Sequence, residues 1–88
     1  MIIKTEKGNV ELGRALFWDI NERNIGQALS ESDEWVVPRV FEYGTLEEIN
    51  EIIQYYGRDH TRNILVRVKD GLRPMSKAMA WYYFGLDF

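Results

Sequence analysis

The sequence predicts an all-α fold, a compact bundle of about four to five short helices preceded by an N-terminal arm. Three observations carry this. Gly44, Gly57, Gly71 and Gly85 recur every 13 or 14 residues, and each closes a stretch of helical patterning. Glycine tolerates the left-handed backbone that ends many helices. Thr45 and Glu48 form a T-x-x-E capping box ahead of a helix-spaced apolar stripe. Pro74 stands where a first helical residue is expected and opens an aromatic-rich segment.

In chain order, residues 1–13 have mixed polarity with Gly8 and Gly13, and read as a frayed arm or a small extended segment. Ala15 to Ile20 reads as a short anchoring segment docked by Phe17 and Trp18, and Asn21 to Ser30 as a short helix around Ile25 and Leu29. Trp35, Val36, Val37, Val40, Phe41 and Tyr43 predict a helix ending at Gly44, interrupted by Pro38. A proline inside a helix removes one backbone bond and clashes with the preceding turn. Either a kinked helix starts near Ser32, or the helix proper starts at Pro38.

The clearest helix runs from Thr45 to Tyr56, with Leu46, Ile49, Ile52, Ile53 and Tyr56 on one face and Glu47, Glu48, Glu51 and Gln54 on the other. The next starts at Asp59, a favoured N-cap, and runs to about Lys69 with Ile64, Leu65 and Val68 inward. The last runs from Pro74 to Phe84, with Met75, Ala78, Met79 and Tyr82 as its inward face.

At 88 residues this is one domain, the helical part spanning 14–88. It holds no cysteine, which excludes disulfides and thiolate chemistry and favours a reducing compartment. No apolar run approaches the roughly 20 residues of a membrane span, and the N-terminus lacks a signal-peptide core. The expectation is a soluble cytoplasmic protein that does not engage a membrane.

Chemistry finds little to stand on. His60 is the single histidine, and no H-E-x-x-H spacing accompanies it. Ser30, Ser32 and Ser76 lack a G-x-S-x-G elbow and read as caps or turns. Glu47, Glu48 and Glu51 read as a solvated face that complements a helix dipole. No phosphate-binding glycine loop occurs. The sequence therefore predicts a non-enzyme with no catalytic residue, no metal and no cofactor.

Two binding readings remain. The net charge of −3 is a cancellation: residues 1–57 carry five Lys/Arg against eleven Asp/Glu, and residues 58–88 six against three. In a helix-turn-helix regulator, the segment from Asp59 to Lys69 would enter a major groove, with Arg58, Arg62, Arg67, Lys69, Arg73 and Lys77 on phosphates or base edges. Alternatively, Trp81, Tyr83, Phe84 and Phe88 form a surface for a protein partner or a second copy, since aromatics are typical interface anchors.

The run Leu16-Phe17-Trp18-Asp19, then Arg39-Val40-Phe41-Glu42-Tyr43-Gly44-Thr45-Leu46-Glu47-Glu48, then Tyr55-Tyr56-Gly57 resembles a family of small uncharacterised bacterial helical domains. Leu72-Arg73-Pro74 through Trp81 to Gly85 is similar to that family's last element, so the likeness spans about residues 15–86. Members are often encoded beside a nucleotidyltransferase-type toxin of abortive-infection systems. The resemblance thus implies an antitoxin-like module that binds a protein encoded nearby. It nominates no catalytic position.

Overall fold

The computed structural model describes residues 1–88, and the helix α2 (Asp33–Tyr43) runs through its centre. Val36, Val37, Val40 and Phe41 fall on one side of that helix, and all four are fully buried. Around it pack α1 (Ile25–Glu31), α3 (Leu46–Tyr56), α4 (Arg58–Arg67) and α5 (Pro74–Phe84). The helix begins directly after Ser32, the earlier of the two expected starts, so Pro38 lies inside it. No helix is long and apolar enough to cross a membrane.

The N-terminal residues form an antiparallel hairpin, β1 (Ile2–Thr5) and β2 (Gly8–Glu11), with Ile3 opposite Val10 and Lys4 opposite Asn9. Side chains alternate across a strand, so Ile3 and Val10 point inward together while Lys4 and Asn9 face water. Gly8 takes φ 124°, a backbone angle that L side chains rarely adopt, where the two-residue Glu6-Lys7 turn re-enters the ladder. The hairpin rests on α1 through β1 and on α3 through β2. The fold is thus mostly helical, 68%, with a small sheet that the all-α expectation lacked. Of the two readings for residues 1–13, the extended one is what forms. Ile3, Val10 and Leu12 join the common core.

After the hairpin, a 3-10 turn at Arg14–Phe17 buries Leu16 and Phe17. Trp18 stays 63% exposed and docks at the surface, over Arg39 at 4.2 Å and edge-on to Tyr43 at 5.7 Å, outside the core. A second 3-10 turn, Glu22–Asn24, leads into α1, which buries Ile25 and Leu29.

The capping box at α3 is present in both directions. Glu48 N–H donates to Thr45 Oγ1 at 3.2 Å, and Thr45 N–H donates to Glu48 Oε1 at 2.8 Å. The other oxygen of Glu48 accepts from Gly13 N–H at 2.6 Å, so one carboxylate caps the helix and fastens the hairpin exit to it. Ile49 and Ile52 are buried, whereas Leu46, in the first turn, stays 53% exposed.

Gly57 alone joins α3 to α4, which begins at Arg58 and not at Asp59, and ends at Arg67. Asp59 makes no cap. Thr61 instead donates its hydroxyl to Gly57 O at 2.8 Å, which satisfies a fully buried polar side chain. A 3-10 turn at Lys69–Gly71 and buried Leu72 lead into α5, whose bounds match the sequence expectation. Gly44 closes α2 at negative φ. Its requirement is space, because a Cβ there would meet Val40 O at 2.6 Å.

Removing the Thr45 hydroxyl strips α3 of half its box. Thr45→Ala is expected to destabilise the chain by about 1 kcal/mol in urea unfolding. For a domain of this size that lowers Tm by about 4–8 °C. An unchanged midpoint would show that the cap contributes nothing.

Candidate interaction surface

The helix α5 is apolar on nearly every side, so periodicity does not choose a face for it. A polar residue does. Ser76 is 1% exposed, and its N–H donates to Glu42 Oε1 at 3.0 Å. Its hydroxyl lies 3.0 Å from the Pro38 carbonyl and 3.2 Å from the same Glu42 oxygen, one proton facing two acceptors. Buried polar groups are costly unless paired, so these bonds fix the inward side of α5. Ala80 follows Ser76 at i+4 and is fully buried. Tyr83 and Phe84 then meet Phe41, the first edge-on at 6.1 Å and the second stacked at 6.3 Å.

This seating overturns the predicted inward face. Met75 is half exposed, Ala78 is exposed and Tyr82 is 63% exposed, while only Met79 of that set is partly covered. Trp81 is also 63% exposed. The four aromatics singled out from the sequence are divided: Trp81 and Phe88 are exposed, and Tyr83 and Phe84 are half-buried against the core. Tyr82 and Met75, which sequence reasoning placed inside, belong with Trp81. Burial, with Tyr82 beside it, holds the Tyr83 phenol above its ordinary range.

The six cations do not share one role. Arg58 donates to Tyr83 O at 2.7 Å and lies 4.8 Å over the Phe84 ring, which ties the start of α4 to the end of α5. Arg67 pairs with Glu34 at 3.1 Å. Arg62, Lys69, Arg73 and Lys77 are exposed and enter no ion pair. Lys69 and Lys77 border a small cleft with Asp70, Asp87 and Phe88. The outward side of α4 mixes Asp59, Arg62, Asn63 and Val66, and the single-residue link at Gly57 is shorter than the usual helix-turn-helix turn.

Other polar groups are occupied by the fold. Arg39 lies between two indoles, 4.2 Å from the Trp18 ring and 4.5 Å from the Trp35 ring. Its Nε donates to Leu16 O at 2.5 Å and its Nη2 to Asp19 at 2.7 Å. This fastens the Arg14–Phe17 turn to α2. His60 sits in the first turn of α4, 2.8 Å from Asp33. No three His, Cys, Asp or Glu side chains lie close enough to hold a metal ion. The largest surface depression is open and polar, lined by Lys4, Lys7, Arg23 and Glu31 among others, with no hydrophobic residue.

Residues 12–65 match the model of DUF6922, a family of unknown function. The chain belongs to that family. No curated protein and no solved structure matches it. The DUF6922 stretch contains Trp18, Asp19 and Arg39, the capping box of α3, and Glu42, but it stops before α5. Those residues act as fasteners in this chain, and the exposed aromatic helix lies beyond the matched stretch.

One fastener in the DUF6922 stretch titrates. Tyr56 donates its hydroxyl to Leu29 O at 2.6 Å, joining α3 to α1. Burial, with Tyr55 and Asp33 nearby, pushes its phenol well above the ordinary tyrosine range. The folded state thus binds this proton more tightly than the unfolded chain. The resulting stability is fully present below about pH 10 and is lost as pH rises above it. Urea unfolding across alkaline pH should show that decline. In Tyr56→Phe the decline should shrink, with a baseline lower by about 1–3 kcal/mol for the orphaned carbonyl. An identical alkaline slope in both proteins would contradict the assignment.

Proposed function

We propose that this chain is a cytoplasmic, non-enzymatic protein-interaction module that acts as an antitoxin does, binding and masking a partner protein encoded nearby. The outward side of α5 is its contact surface. The single observation that carries the reading is that Trp81 and Tyr82 are each 63% exposed on one helix, with Met75, 50% exposed, two turns before Tyr82. Large aromatics held rigid on a helix and left in water are typical interface anchors. The resemblance of residues 15–86 to small domains encoded beside nucleotidyltransferase-type toxins supports the choice of a protein partner.

The test is co-expression with the protein encoded beside this gene. A complex that survives size-exclusion chromatography, with relief of growth inhibition, is the expected result. Trp81→Ala with Tyr82→Ala should weaken that complex by at least about 2 kcal/mol, roughly 30-fold. The thermal unfolding of the double variant should stay close to that of the parent, since both side chains are mostly solvated. Neither a complex nor relief of toxicity would overturn the reading.

A further inference from the structure

Resting on the reading of α5 as a contact surface, we infer that this surface selects an acidic partner: an apolar segment whose carboxylates meet Arg73 and Lys77. The argument is charge complementarity along one helical ridge. Residues four apart on a helix are neighbours, so Arg73 at the N-cap, Lys77 and Trp81 follow one another down α5. The adjoining ridge carries Ala78 and Tyr82. From Pro74 to Phe84 the helix contains no Asp or Glu. Arg73 and Lys77 make no ion pair within the chain, whereas Arg39 and Arg67 do.

An apolar anchor flanked by free cations rewards carboxylates on whatever covers it and disfavours cations there. The same charges weigh against a second copy packed with its α5 parallel to this one, where Arg73 and Lys77 would oppose their own counterparts. They also favour protein over nucleic acid. Asp59 shares the outward side of α4 with Arg62, and Asp70 and Asp87 border the cleft beside Lys69 and Lys77. Carboxylates there repel a backbone charged at every residue, whereas a protein segment can seat its few carboxylates at Arg73 and keep them clear of the Asp70 and Asp87 that border Lys77.

A phage-displayed library of random helical peptides, selected on the full chain and counter-selected on Trp81→Ala with Tyr82→Ala, reads the preference directly. Peptides enriched in Asp and Glu beside Leu, Phe or Trp are expected. Those peptides should bind an Arg73→Glu, Lys77→Glu variant about tenfold more weakly at low salt. That variant should keep the parent's thermal melt, as both residues are exposed. Trp81-dependent peptides that are neutral or basic would overturn this inference while leaving the contact surface standing. An absence of Trp81-dependent peptides would overturn both. Sedimentation showing Trp81-dependent self-association, or salt-sensitive duplex binding lost in Arg62→Ala, would also overturn it in favour of a second copy or a nucleic acid.

Discussion

Seating α5 on α2 depends on Ser76. A helix that is apolar all round has several orientations of similar hydrophobic gain, and packing alone separates them weakly. Glu42 breaks the degeneracy, because Ser76 gives its carboxylate an N–H and a hydroxyl at the helix–helix contact, and the hydroxyl also reaches the Pro38 carbonyl. Turning α5 so that Met75 and Tyr82 faced inward would part Glu42 from the Ser76 N–H and hydroxyl. An unpaired buried polar group costs about 1–3 kcal/mol. The exposure of Trp81 and Tyr82 goes with that polar contact and with the packing of Tyr83 and Phe84 on Phe41.

The same logic recurs elsewhere in the chain. Arg39, three residues before Glu42 on α2, holds the Arg14–Phe17 turn through Leu16 and Asp19 and is sandwiched by Trp18 and Trp35. Guanidinium groups suit such sites, since a planar cation can stack on indoles and still donate along its edge. Glu48 caps α3 with one oxygen and holds Gly13 with the other. The R-V-x-E-Y-G and T-x-x-E residues that drew notice as a family pattern are therefore joints between elements. They recommend a fold without describing an activity, and the aromatics left exposed are on the helix they hold in place.

What was legible in the sequence was local. The capping box of α3, the bounds of α5 between Pro74 and Gly85, and the burial of Ile25 and Leu29 follow from residues within a turn or two of one another. What was not legible depended on distant partners. The inward side of α5 is set by a contact between Ser76 and Glu42, 34 residues apart, and the hairpin's anchoring to α3 by Gly13 and Glu48, 35 apart. Each strand of the hairpin is four residues long, too short for alternation to stand out from chance. Charge behaved likewise: six cations after Gly57 were plain to see, but only the fold shows that Arg58 and Arg67 are engaged and that Arg73 and Lys77 are free.

Hydroxyl-radical footprinting with mass-spectrometric readout tests the orientation of α5 most directly, because its two methionines differ in cover, Met75 half exposed and Met79 partly buried. Met75, Trp81 and Tyr82 should oxidise readily, and Met79 and Phe84 should be protected. Protection of Met75 and Tyr82 with the Ser76 side oxidised would mean that the helix is seated the other way, and the surface assigned to a partner would then be core.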